Sequence, residues 1–167
     1  QHIEAQCRRR GLLNVRVVTC DVNALQLDPA QFDRCVSIEM FEHMRNYELL
    51  MEKIARMLTS EGKLFVHIFT HQSFTYYFDV IDESDWMSKY FFTGGIMPSD
   101  DLLLYFNKDL KIQQHFHWDG THYEKTANCW LENMDKNRQT IINSQEPQHP
   151  HCSTQWQTTF WTGTWKD

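Results

Sequence analysis

The chain has 167 residues, of which 41% are hydrophobic and 14% aromatic, enough for one ordinary core that removes roughly two thirds of the unfolded surface from water. Its formal net charge is −6, and Arg8, Arg9 and Arg10 form its one basic cluster, so it lacks the broad cationic face of a nucleic-acid binder. The longest apolar stretches, such as residues 64–69, fall far short of the roughly 20 residues that cross a bilayer, and no charged start with an apolar signal core is present.

Ile3 and Cys7 carry helical spacing from the first residues without an N-cap, as if a helix were already under way, and an N-terminally truncated protein is expected. Gly11 is placed to stop that helix. Val15, Val17 and Val18 then predict a short strand ending at Thr19, Cys20 and Asp21. Residues 33–38 (DRCVSI) and 63–69 (KLFVHIF) predict two more strands, and residues 47–58 between them predict a helix with Leu50, Ile54, Met57 and Leu58 on one face. Strands apolar on both faces that alternate with helices specify an α/β class, a parallel sheet covered by helices through right-handed crossovers. Ligands in open sheets of this type bind outside the carboxyl ends of the strands, so Asp21, residues 39–43 and residues 69–71 are expected to line one crevice.

Beyond Thr70 an aromatic loop (SFTYYFDV) leads to a short helix at 86–92, a TGG turn, and a helix at 99–108 with Ser99 as N-cap and Asp100 and Asp101 in its first turn. Residues 111–118 alternate as a strand, Asp119 and Gly120 turn the chain, and residues 124–142 read as a further helix. From residue 143 the composition changes, which divides the chain into a partial domain at 1–142 and an atypical polar and aromatic tail at 143–167. No internal repeat is present. Five scattered cysteines, Cys7, Cys20, Cys35, Cys129 and Cys152, contain no CxxC pair, which argues against a disulfide framework or zinc knuckle and for a soluble, cytoplasmic protein.

The densest polar cluster is Glu39-Met40-Phe41-Glu42-His43, where a strand hands over to a helix. On a helical turn Glu39, Glu42 and His43 share a side, and crowded carboxylates beside an imidazole raise one another's proton affinity, as a general base requires. Against this stands the plain alternative that the acids favour a helix N-terminus and His43 is a satisfied core residue. A metal site needs a second, matching helix contribution, and His67 with His71, His115 with His117, and His149 with His151 and Cys152 do not supply one, so no metal is expected. Thr93-Gly94-Gly95 lacks phosphate-loop spacing. Asp21 is a strand-end carboxylate able to accept from a nucleoside amine or to cap the next helix. Phe74, Tyr76, Tyr77, Phe78, Tyr90, Phe91 and Phe92 are either an acceptor-pocket wall or simple core.

The segment DRCVSIEMFEHMRNYELL resembles the fourth-strand motif of the cyclopropane fatty acid synthase and coclaurine N-methyltransferase family. GKLFVHIFTH is similar to its fifth strand, DWMSKYFFTGGIMPSDDLLLYF to its long insertion and GTHYEKTANCWLENMDKN to its late helix, in order from residue 1 to about residue 137. The resemblance implies a class I (Rossmann-like) methyltransferase sheet with a helical insertion after the third visible strand, and S-adenosylmethionine as cofactor. It places adenine against Asp21 and Val22, with Ile38 lining the cofactor pocket. In the amine branch it assigns acid and base roles to Glu39, Glu42 and His43, and in the lipid branch a bicarbonate-holding role to Glu42, His67 and Tyr123. The glycine-rich first-strand loop of the family, its ribose-binding acid and the bicarbonate-contacting cysteine of the lipid branch have no counterpart here, so weak cofactor binding is expected of these residues alone.

The expected activity is methyl transfer from S-adenosylmethionine to a small amine or to an unsaturated phospholipid acyl chain, the latter with peripheral membrane contact. Two rivals stand beside it, a non-catalytic remnant that binds a partner and a carboxylate-histidine metal enzyme.

Overall fold

The computed structural model describes residues 2–82 and 84–144, so most of the polar tail expected at 143–167 lies outside the described residues. The chain divides into two compact units, one made of Gln1–Phe41 and Asn46–Ile68, the other of Glu42–Arg45 and the chain from Phe69 onward.

The first unit opens with helix α1, His2–Arg9. Gly11 ends it at φ +64, with the Leu12 amide donating to Cys7 O at 2.9 Å and the Gly11 amide to Arg8 O at 3.2 Å, the paired bonds of a Schellman stop. The strand predicted at Val15, Val17 and Val18 is not formed. β-branched residues favour an extended chain, but a strand exists only through backbone pairing, and among the described residues this segment has no ladder partner; Val15 is 47% and Val18 50% exposed. Asp21 instead starts a turn, its carbonyl accepting from the Leu25 amide at 2.9 Å and its Oδ1 from the Asn23 amide at 2.7 Å.

Strand β1, Phe32–Ile38, and strand β2, Leu58–His67, pair in parallel and are joined by helix α2, Tyr47–Met57. Asn46 caps α2 by accepting from the Leu49 amide at 3.1 Å. The helix buries Tyr47, Leu50, Met51 and Ile54, a stripe at helical spacing, and hands over at Leu58, which is already extended. Leu58 pairs with Phe32 and Lys63 with Arg34, so Thr59–Gly62 bulges out of register, tied by the Thr59 hydroxyl to Asp33 at 3.2 Å. Burial of both strand faces was expected and only one is covered: Ser37 is buried and Cys35 half-buried, while Val36 and Ile38 on the opposite face are 62% and 61% exposed. The side chains of a strand alternate between faces, and one helix covers one face.

In the second unit, strand β3, Tyr76–Tyr77, pairs antiparallel with strand β4, Ile96–Met97, and helix α3, Trp86–Tyr90, lies between them in sequence. This segment is the insertion, and because the Val15 strand is absent it follows the second strand rather than the third. Phe92 is its apolar hub, 7% exposed, with ring centroids of Phe78 and Phe91 at 4.7 Å and of Phe69 and His43 at 5.3 Å.

Three predicted elements change here. The helix at 99–108 shrinks to one 3-10 turn, Leu102–Tyr105, because the Ser99 hydroxyl donates to Asp101 Oδ1 at 2.6 Å instead of capping helical amides. The strand at 111–118 is not formed, since among the described residues nothing pairs with it, and Phe116 and Trp118 stand 63% and 65% exposed. The late helix starts earlier and breaks: α4 runs Thr121–Lys136 and α5 Arg138–Ser144, with the Asn137 side chain donating to Asn133 O at 2.8 Å at the junction. At the start of α4, Asp119 Oδ1 accepts from the Thr121 amide, which holds the Asp119 carboxyl below its ordinary range. Among the described residues no helix is long and apolar enough to cross a membrane.

Two outcomes follow from these environments. Phe92→Ala is expected to cost about 3 to 5 kcal/mol by chemical denaturation, against less than about 1 kcal/mol for Phe74→Ala at a 68% exposed ring. Burial pushes the Cys35 thiol up, so it holds less thiolate near neutral pH than an exposed cysteine. Mass-spectrometric alkylation should modify exposed Cys20 and Cys129 before Cys35, and equal rates would contradict the burial.

Candidate functional site

At the carboxyl ends of β1 and β2 the register pairs Ile38 with His67, and the next residue, Glu39, donates its amide to His67 O at 2.9 Å. Glu39 sits at φ +51, a left-handed conformation that costs a residue with a side chain about 1 to 2 kcal/mol. The chain leaves β1 through this turn, and the Glu39 carboxylate stands 2.8 Å from His67 Nδ1, with each side chain about one third exposed, at 32% and 33%. A carboxylate thus stands against one ring nitrogen of an imidazole at the strand ends. The two groups meet where parallel sheets bind ligands.

Asp21, Val22 and Ile38 belong to the same unit. Asp21 is exposed and uses Oδ1 within its own turn, Lys53 Nζ donates to Val22 O at 2.7 Å and to Asn23 O at 2.9 Å and so pins that turn to α2, and Ile38 offers an open apolar side chain at the strand end.

The shared helical side expected for Glu39, Glu42 and His43 is not present. Glu39 is left-handed and outside any helix, and the 3-10 turn Phe41–His43 holds Glu42 at 1% exposure while His43 is exposed and stacks on Phe92 at 5.3 Å. The structure therefore brings Glu39 to His67 rather than grouping the three. Glu42 and His43 are in the second unit with Tyr123, which lies on α4 edge-on to Trp130 at 6.4 Å. Of the aromatic residues singled out, Phe92 is core and Phe78 half-buried, whereas Phe74, Tyr76, Tyr77, Tyr90 and Phe91 are exposed.

Arg45 escaped the sequence reading. Its Nε donates to Gly94 O at 2.6 Å, its second guanidinium nitrogen lies 3.3 Å from Asp79 Oδ1, and its Cζ stands 4.5 Å over the Tyr77 ring. The TGG turn does more than turn the chain: Gly94 has φ +76, and a Cβ on Gly95 would stand 2.5 Å from Glu42 O. The two glycines let residues 42–45 pack backbone to backbone on 94–95, with Arg45 as the clasp. The pairing of a glycine doublet with an arginine close after EMFEH was the available signal.

The chain matches the family described as mycolic acid cyclopropane synthetase over residues 1–159. It is 38% identical over 143 residues to the (S)-coclaurine N-methyltransferase of Thalictrum flavum subsp. glaucum, covering 84% of this chain and 39% of that protein. It is 30% identical over 130 residues to the cyclopropane-fatty-acyl-phospholipid synthase of Escherichia coli strain K12, covering 77% of this chain and 32% of that protein. A crystal structure of coclaurine N-methyltransferase bound to N-methylheliamine and SAH is similar with a TM-score of 0.75 at 36% identity, over 86% of this chain and 44% of that one. The chain thus spans 39% of the length of the first of these relatives. With the family match running through nearly all its length and the α/β methyltransferase fold through most of it, the chain belongs to the mycolic acid cyclopropane synthetase family.

Proposed function

We propose that the chain carries part of the site of an S-adenosylmethionine-dependent methyltransferase whose acceptor is a small amine. The observation that carries the reading is the likeness, at 36% identity, to a methyltransferase holding N-methylheliamine and SAH together. The amine is preferred over a lipid because identity to the alkaloid N-methyltransferase is 38% against 30% to the phospholipid enzyme. Free thiols at Cys7, Cys20, Cys35 and Cys129 support a cytoplasmic setting.

The residues of the first unit suit the cofactor. Asp21 is an exposed carboxylate able to accept from an exocyclic amine, the Lys53 contacts hold its turn in place, and Ile38 offers an apolar face to a purine. When bound, S-adenosylmethionine supplies an electrophilic methyl group. The protein's part is to align the acceptor, worth up to roughly 7 to 11 kcal/mol in well-oriented systems, and to take the proton that an amine must release. The Glu39–His67 pair is assigned to receive that proton, the carboxylate lying beside the ring that would carry it. Glu42, which is buried, and His43, which is exposed, take the acid and base roles that the family resemblance gives them.

The lipid reading is favoured by the family description and by the Escherichia coli relative. On that reading the family resemblance gives Glu42, His67 and Tyr123 the bicarbonate-holding role. A phospholipid acceptor also requires contact with a membrane surface.

Transfer of labelled methyl from S-adenosylmethionine by the full-length protein decides between them. Label in a benzylisoquinoline-type amine is expected; label in unsaturated phospholipid alone would overturn the acceptor, and label in neither, with folded protein, would overturn the activity. In the same assay Glu42→Gln should slow turnover by roughly 10² to 10⁴-fold at little change in cofactor affinity. Unaltered turnover in a stable Glu42→Gln protein removes that residue from the mechanism.

A further inference from the structure

Asp100 and the irregular segment carrying His115 and His117 come together in the second unit. Asp100 Oδ1 lies 3.3 Å from His115 Nε2 and 3.5 Å from His117 Nδ1, the two imidazole centroids are 4.4 Å apart, and one ligand atom from each of the three residues lies within 4.8 Å of the others. Two atoms that each bind a tetrahedral ion at about 2.0 to 2.1 Å stand roughly 3.3 Å apart, so both Asp–His edges have the spacing of ligands around one metal.

Simple ion pairing accounts for this arrangement less well. One carboxylate oxygen serving two imidazolium rings leaves those rings in mutual repulsion at 4.4 Å, whereas two neutral imidazoles around a dication carry no charge to repel and both turn a lone pair toward the same cation. The carboxylate is also held in place: the Asp100 amide donates to His71 O at 3.0 Å, and Ser99 beside it is buried at 6% exposure. The side chains of Asp100, His115 and His117 are 29%, 53% and 69% exposed, which gives an ion a way in and leaves coordination positions for water.

We propose that Asp100, His115 and His117 form a binding site for a divalent first-row transition ion of the zinc class, for which imidazole with carboxylate is a suitable ligand set. The ion ties residues 111–118, which have no regular secondary structure, to the turn at residues 99–101. The sequence pattern did not disclose the site because its carboxylate lies fifteen positions before the first histidine and no short motif spans them. The site is independent of the methyl-transfer reading.

Calorimetric titration of metal-free protein with zinc chloride in a non-chelating buffer tests it, repeated on Asp100→Asn and on the double variant His115→Ala/His117→Ala, with circular dichroism as the check on folding. Saturable binding of one ion per chain is expected, weakened at least tenfold in Asp100→Asn and abolished in the double variant. The two histidines are exposed, so their removal should leave the fold intact, and Asp100→Asn keeps the side chain's shape should the double variant fail to fold. Absence of saturable binding to the unaltered protein would overturn the proposal. So would one equivalent retained at full affinity in the variants, which would place the ion elsewhere, as on His149, His151 and Cys152.

Discussion

At the end of β1 the chain holds a glutamate in a left-handed conformation, and two interactions keep it there: its amide donates to His67 O at 2.9 Å and its carboxylate stands 2.8 Å from the ring of that histidine. Each lies at the mouth of a parallel pair, where strand directions agree and both chains exit on the same side. The left-handed turn, a strain of about 1 to 2 kcal/mol at Glu39, accompanies the amide bond to His67 O and sets the direction in which the carboxylate leaves the strand. The β1–α2–β2 crossover serves this end. Asn46 starts α2, the Tyr47, Leu50, Met51 and Ile54 stripe seats it, and β2 is thereby delivered parallel to β1 with His67 opposite Ile38.

Elements specified by local chemistry were legible. The α2 stripe, its boundary near residue 58, the Gly11 stop, and the β1 and β2 cores all follow from spacing or from a glycine that alone tolerates its φ. Elements that depend on a partner far along the chain were not. Val15, Val17 and Val18 have strand composition and residues 111–118 have strand alternation, yet neither has a backbone to pair with among the described residues. Ser99 was read as a cap from its type, but its hydroxyl is committed to Asp101 and its amide to the Thr75 hydroxyl. Of the candidate site, the strand-end position was legible and the pairing was not. Helical periodicity grouped Glu39 with Glu42 and His43, and the positive φ at Glu39 sends its carboxylate to His67 instead.

The second unit shows how a glycine doublet acts through packing rather than ligand binding. Gly94 supplies the positive φ of the turn, Gly95 admits the Glu42 carbonyl where any side chain would collide, and Arg45 closes over both through Gly94 O and the Tyr77 ring. The Glu42 backbone takes part in that packing, and its side chain is 1% exposed. Family membership and the α/β methyltransferase fold stand on the comparisons; the proposed amine chemistry rests on what the site's carboxylates and imidazole can do with a proton.

The most direct test of that account is a double-mutant cycle on methyl transfer at saturating substrates, comparing Glu39→Gln, His67→Ala and the protein carrying both changes. Residues that act as one proton-accepting unit give non-additive losses, so each single change should slow turnover by roughly 10² to 10⁴-fold and the pair should lose little more than either alone. Losses that multiply, or turnover left intact by either single change in a folded protein, would contradict the claim that the strand-end pair accepts the proton.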